Sequence, residues 1–404
     1  MLTAEKEINH NNVAFDSLFI LLIYLFAFLS SICAVFAMRA NSSLLWLSIV
    51  RIARFNIIGL DFLLLFYYFL RKRLLQSFSL NMILYLIYIF CISSLFFFPP
   101  MSEFLANALP WPLTFAVFYL YSQKSDLTFI FKKCLVLTFF ICLVALYGTL
   151  SAQNIVGTNT GAVNYAITYL PIVLMICNKR EKVFLSFITG ILILISLKRA
   201  ALITFVLGLF GYFLCSLYQN NSKRKRMLYI IVVMLMIFLF SYFALSYYDS
   251  YIFDVIGRLE RMDSDQGSGR LVIWNIIWSS FIKSPTVNQV FGHGYHAVPY
   301  LLSPLNSNIL AHNSYLETLY DLGMVGLIWI VFMEIVLFYH LIRMIREKNE
   351  MAPSGVFAGF VILVLSFVSY FFDDSSTILM IAIFCGVMLG KYKRQCKIKN
   401  ESYR

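Results

Sequence analysis

Apolar stretches of about 20 residues recur from one end of the sequence to the other, and this spacing restricts the fold more than any other feature. About 20 residues of α-helix cross a hydrocarbon layer of about 30 Å, whereas barrel strands would be about 10 residues long and strictly alternating. With 61% hydrophobic and 13% charged residues and a mean hydropathy of +0.80, the chain also lacks the polar side chains to cover a soluble globule of its size. The expected class is an all-α polytopic membrane protein.

Hydropathy marks about twelve spans, at 16–38, 46–70, 79–98, 104–121, 134–152, 162–178, 183–197, 200–219, 227–248, 322–342, 355–372 and 375–391. The first is longer than a signal-peptide core, is preceded by Glu5, Lys6 and Glu7, and is followed by no small-x-small cleavage pattern, so it is expected as a retained span. Basic residues in short loops stay cytoplasmic. Here Arg71 to Arg73, Lys124 with Lys132 and Lys133, Lys179 to Lys182, Lys223 to Arg226, Arg343 to Lys348 and the tail from Lys391 all follow even-numbered spans. Both termini are therefore expected in the cytoplasm. The net charge of +12 is spread loop by loop, which argues against a nucleic-acid footprint.

One connection breaks the rhythm. Residues 249–321 form a single long link on the side opposite the basic loops, dividing the chain into spans one to nine (1–248), a large periplasmic loop (249–321) and spans ten to twelve with a basic tail (322–404). Other cations on that side are Arg39, Arg51, Arg54 and the pair Lys198 and Arg199. Snorkelling to lipid headgroups accounts for the first three. Lys198 and Arg199, wedged between two spans, fit a snorkelling pair or a cavity-facing functional pair, since cations within the membrane usually face a cavity.

Within the loop, "GSGRLVIWNIIWSSFIKSP" is expected as an amphipathic helix. Trp274, Ile277, Trp278 and Phe281 recur on one face, Ser268 can cap its start and Pro285 stops it. It either lies on the membrane surface, with Arg270 at headgroup depth, or packs on its own bundle. In "HNSYLETLYDLGMVG", Ser314 and Glu317 match a capping box, so a helix is expected from Ser314 with His312 just before it. A histidine at a helix N-terminus can exchange a proton near neutral pH beside amides that attract anions. His293 and His296 are expected as exposed loop residues. The eight cysteines (33, 91, 134, 142, 177, 215, 385 and 396) form no C-x-x-C pair, and no cofactor or metal is expected. "DSDQGSG" has Trp274 where a calcium loop needs glutamate, and no nucleophile elbow is present.

The order "G-x-R", tryptophan, amphipathic helix, "K-S-P", "F-G-H-G", His312-Asn313 and then Gly323-x-x-Gly326 resembles the bacterial O-antigen polymerase and O-antigen ligase superfamily. The likeness is good over about 75 residues and weaker over the twelve-span layout and "LKRAAL". It implies a GT-C-like glycosyltransferase, independent of metal and of nucleotide sugar, acting on undecaprenyl-pyrophosphate-linked oligosaccharide. It also implies membrane lipids and a chain-length regulator protein as partners. By that resemblance Arg199, Arg270 and His312 are the catalytic candidates. Lys198, Arg258, Arg261, Arg39 and Asn313 are further candidates for substrate binding, beyond what the resemblance carries over. Lys198 departs from the serine or threonine usual before the arginine. The loop is closer to polymerases than to ligases. A lipid-linked oligosaccharide flippase is the alternative of another class; it would be expected to hold polar groups near the bilayer midplane, where this chain has chiefly Asp61 and Glu334.

Overall fold

The structure is a computed structural model that describes residues 2–37, 44–70, 77–96, 101–127, 144, 162–196, 198–219, 270–304, 310–369, 371–372 and 374–402. Among these residues every element is a helix: α1 (Leu2–Ala37), α2 (Leu44–Leu70), α3 (Ser77–Phe96), α4 (Met101–Ala108), α5 (Pro110–Ser122), α6 (Ala162–Ile176), α7 (Lys179–Ser196), α8 (Arg199–Gln219), α9 (Arg270–Lys283), α10 (Thr286–Phe291), α11 (Val298–Leu301), α12 (Ser314–Arg346), α13 (Ala352–Val368) and α14 (Ser375–Ser402). Six stretches among them are long and apolar enough to cross a membrane, and Val163–Ile176 and Ala352–Val368 are shorter apolar helices. The protein is therefore an all-helical polytopic membrane protein. The expected spans 134–152, apart from residue 144, and 227–248 lie outside the described residues; every other one falls on a helix. The span expected at 104–121 is broken at Leu109, where Pro110 and Pro112 start a new helix.

The chain forms two compact units. The first comprises residues 1–91, 98–202 and 371–404. Its tightest seam joins α5 to α14, where Gly386 and Gly390 let backbones touch. An added Cβ would stand 2.8 Å from the Phe115 carbonyl oxygen at Gly386 and 2.5 Å from that of Tyr119 at Gly390. Small residues four apart are the usual device for close helix packing in lipid, where burial of apolar surface supplies no drive. Polar bonds cross the same unit. Thr114 Oγ1 donates to the fully buried Asp61 at 2.6 Å, and Lys391 pairs with Asp126 at 2.6 Å. Arg54 corrects the snorkelling expectation: its guanidinium donates inward to Asn107 Oδ1 and, at 2.7 Å, to Ser376 Oγ. A charged donor inside an apolar bundle gains more from such bonds than from lying along lipid tails.

The second unit comprises residues 92–97 and 203–370. Helices α8 and α13 meet at Gly208 and Gly211, whose added Cβ atoms would lie 2.8 Å from Phe357 and 2.5 Å from Phe360. The feature that shapes the unit is a reversal inside α12. Gly323 has φ 67° and ψ −172°, so Ser314 to Leu322 and Met324 to Arg346 are two arms. A straight helix would hold Tyr315 and Glu334 about 28 Å apart. Instead, the Tyr315 hydroxyl donates to both oxygens of Glu334, at 3.0 and 3.1 Å. The short arm therefore folds back alongside the long one, and carries its N-terminus away from the reversal and down the flank of the span.

Candidate active site

The second unit contains a compact group of short helices, α9, α10 and α11, built on the folded-back arm of α12. Their shared core is Ile277, Phe281, Ala297, Val298, Leu302, Ala311, Leu319 and Tyr320. Helix α9 runs from Arg270 to Lys283 and stops before Pro285, as its sequence predicts. Its buried face differs in detail from the expected one. Ile277 and Phe281 face inward, whereas Trp278 is exposed together with Leu271 and Ile282. The face turned to the core thus continues through Ile273 and Trp274, and Arg270 lies on its edge, half-buried.

The "FGHG" turn and the α12 reversal are locked together by their backbones. Gly292 has φ 89° and Gly323 φ 67°. An added Cβ on Gly292 would lie 2.2 Å from the Asp321 carbonyl oxygen, and one on Gly323 would lie 2.4 Å from that of Val290. Only glycine meets both demands, the left-handed φ and the space. The amides of His293 and Gly294 donate to the carbonyls of Tyr320 and Asp321, at 3.1 and 2.8 Å. The two glycines of Gly323-x-x-Gly326 have separate jobs: the first makes the reversal, and the second leaves room for Leu322, whose Cβ would be 2.3 Å from an added methyl at Gly326.

Asp321 completes the lock, and sequence reasoning missed it. Its carboxylate is buried and accepts from the amides of His296, Ala297 and Val298, at 2.7, 3.0 and 3.0 Å. These are the residues that enter α11, so the carboxylate caps that helix from across the fold. No local spacing announces this cap, because donor and acceptor are more than twenty residues apart. His293 also belongs to the lock, which corrects its reading as an exposed loop residue. Its ring stacks on Tyr320 with centroids 4.1 Å apart. Nδ1 bonds the Tyr320 carbonyl at 3.0 Å and must therefore carry the proton, while Nε2 meets Ser284 Oγ at 3.0 Å.

The start of α12 also differs from its sequence pattern. Asn313, and not Ser314, is the cap: its Oδ1 accepts from the amides of Tyr315 and Leu316, both at 3.1 Å. Ser314 Oγ donates to the Ser369 carbonyl at 3.2 Å, and Glu317 is fully buried one turn into the helix. The capping box is not formed, because asparagine is at least as good a cap and its side chain reaches the same orphan amides first. Asn313 is thus committed to the helix end, and His312 stands one residue before it, half-buried at φ 52°.

One bond links the two halves of the expected site. Trp274 Nε1 donates to the Ala311 carbonyl at 2.8 Å, and the ring meets Phe367 edge-on at 6.4 Å. Trp274 is one turn beyond Arg270 on the same helix face, and Ala311 immediately precedes His312. Residues 42 apart in sequence are so brought to one edge of one unit. Lys198 immediately precedes α8 and Arg199 opens it, and both belong to the first unit. Arg39, Arg258 and Arg261 lie outside the described residues. Among the described residues no group of three or more histidine, cysteine, aspartate or glutamate side chains is placed to hold a metal ion.

A guanidinium and an imidazole are groups that can, respectively, hold an anion and accept a proton. A half-buried guanidinium can bind phosphate oxygens with directed, charge-assisted bonds. An imidazole at a helix end exchanges a proton with a hydroxyl near neutral pH.

Comparison with known proteins bears on this segment. No curated protein matches the chain. Residues 184–331 match the family model described as O-antigen ligase, a stretch that contains Lys198, Arg199, α9, the glycine lock and His312. The match supports the O-antigen polymerase and ligase superfamily that the loop resembles, and so points to a membrane-embedded, glycosyltransferase-like enzyme of ligase or polymerase type using a lipid-linked oligosaccharide.

Proposed function

We propose that the protein is an O-antigen polymerase, joining undecaprenyl-pyrophosphate-linked repeat units at the periplasmic face of the bacterial inner membrane. The observation that carries the reading is the Trp274 bond to Ala311, which ties the helix bearing Arg270 to the backbone beside His312. Arg270, with Arg199, neutralises the pyrophosphate as the bond between sugar C1 and phosphate oxygen breaks. The acceptor hydroxyl forms the new bond to C1, and His312 takes its proton, which ends on the released diphosphate. Directed donors aimed at developing charge in a site shielded from water are the most effective form of such stabilisation. Lys198, Arg258, Arg261 and Arg39 are the remaining cations for the anionic part of the donor, and a chain-length regulator would act on the product.

The ligase reading has its own support, since the matching family model is described as O-antigen ligase. It uses the same donor and a lipid A core acceptor. Deleting the gene and separating lipopolysaccharide on a gel distinguishes the two. Core capped by single repeats is the polymerase result; bare core with accumulating lipid-linked polymer is the ligase result. Purified protein in vesicles that moved lipid-linked repeats across the bilayer, yet formed no glycosidic bond, would make it a flippase and overturn both.

A further inference from the structure

A second polar group lies against the same helix end, and the transfer chemistry described above makes no use of it. Glu334 sits in the long arm of α12, within a span, and among the described residues its hydrogen-bond partner is the Tyr315 hydroxyl alone, which reaches both oxygens at 3.0 and 3.1 Å. One phenol hydrogen divided between two oxygens leaves most of the carboxylate's roughly four acceptor positions unused. On α13, the fully buried Ser366 hydroxyl lies against the Tyr315 oxygen, to which it can donate, and makes no other hydrogen bond among the described residues. An ionisable group inside a membrane span is costly, and where it occurs it generally serves a substrate path. Tyr315 and Glu334 are both half-buried, so the pair is partly covered without being sealed.

We infer that Glu334, Tyr315 and Ser366 form a hydroxyl-binding subsite for the acceptor glycan, three residues from His312. The assignment rests on the transferase reading above. The mixture of groups selects the ligand class. Tyr315 gives its proton to the carboxylate and so presents a lone pair, Ser366 offers both a donor and an acceptor, and Glu334 offers acceptors only. Sugar hydroxyls donate and accept at once and match this set, whereas a bare cation calls for acceptors throughout. The fold-back of α12 is what brings Glu334 to the helix start that follows His312, because in a straight helix it would lie far from the N-terminus.

The test uses full-length protein reconstituted in vesicles, with the host's lipid-linked repeat as donor and a fluorescent free repeat oligosaccharide as titrated acceptor. Glu334→Gln is expected to raise the acceptor KM about 10- to 100-fold, the usual weight of a bond to a charged group. The kcat at saturating acceptor and the slow release of diphosphate without acceptor should stay within about threefold of the unsubstituted protein. Glu334→Asp should recover part of the KM loss, and Ser366→Ala should give a smaller rise. Tyr315→Phe removes one hydroxyl without removing a carboxylate, and it decides the matter if Glu334→Gln does not fold. An unchanged acceptor KM, or a loss confined to kcat and melting temperature, would make the pair a helix staple and overturn the subsite. No glycosidic product from the unsubstituted protein would instead remove the transferase reading and the subsite with it.

Discussion

Replacing Asp321 by asparagine probes whether the glycine turn and the α12 reversal hold each other in place. The side chain is 2% exposed and takes three amide donors at 2.7 to 3.0 Å. Asparagine has the same shape, and its oxygen can keep the bonds to Ala297 and Val298, which share one carboxylate oxygen. Its nitrogen then faces the His296 amide, donor against donor. A bond to a charged acceptor contributes about 1.5–3 kcal/mol, a neutral one about 0.5–1.5 kcal/mol, and a buried donor left unmade costs about 1–3 kcal/mol. Weakening two bonds and orphaning one donor comes to about 3–5 kcal/mol. At about 1.4 kcal/mol for each tenfold, the turn should open about 100- to 4,000-fold more often. Hydrogen exchange read by mass spectrometry on peptides covering residues 292–302, in lipid nanodiscs, measures this. Those amides should exchange at least 100-fold faster, while a peptide from the buried stretch of α14 stays unchanged. Protection kept within about threefold would refute the argument, since the carboxylate would then not be what holds the turn.

Arg270→Ala and His312→Ala should each lower transfer about 100- to 1,000-fold, the usual cost of losing one group that acts in the transition state, with membrane protein levels unchanged on immunoblots. Polymer of normal length from either variant would remove that residue from the chemistry. Gly323→Ala adds a methyl 2.4 Å from the Val290 carbonyl oxygen at a left-handed φ, where a side chain alone costs about 1–2 kcal/mol. Its melting temperature in detergent should fall by several degrees, and transfer should fall with it. Trp274→Phe keeps a ring against Phe367 but loses the bond to Ala311. A loss of about 1 kcal/mol in stability is expected, with a larger loss of transfer than the stability change explains, read by assaying both on the same preparation.

Much of the fold follows from periodicity that the sequence displays openly. Apolar runs of membrane length fall on helices, Pro285 marks the end of α9, and His312 does stand at the start of a helix. The departures have one physical origin: each depends on a partner distant in sequence. Asp321 looks like the polar end of a loop until the amides of 296–298 arrive beneath it. Arg54 looks like a snorkelling cation until Asn107 and Ser376 are brought to it. The run from Ser314 to Arg346 looks like a helix entering a span, and the glycine at 323 fits a helix start as well as a reversal. Only the backbone of the FGHG turn, pressed against it, decides between them. Trp278 illustrates a subtler limit. A helix with apolar residues on most of its circumference has no unique inward face, and packing on Ile277 and Phe281 selects one that leaves Trp278 outside.

The three histidines of the loop divide their work according to where their ring nitrogens go. His293 has both nitrogens engaged inside the lock, one on the Tyr320 carbonyl and one on Ser284, with its ring flat against Tyr320; an imidazole held this way orients backbone and is poorly placed to move a proton. His296 contributes its amide to Asp321 and a left-handed φ to the turn. His312 differs in kind, because the elements on either side of it are fixed by other residues. Trp274 holds Ala311 before it, and Asn313 caps the helix after it. Neither constraint uses the imidazole. A short segment clamped at both ends keeps its side chain in position, which is what the proposed proton acceptor requires. The same reasoning explains why an apolar chain gathers polar side chains in one loop: several of them build the clamp that positions another.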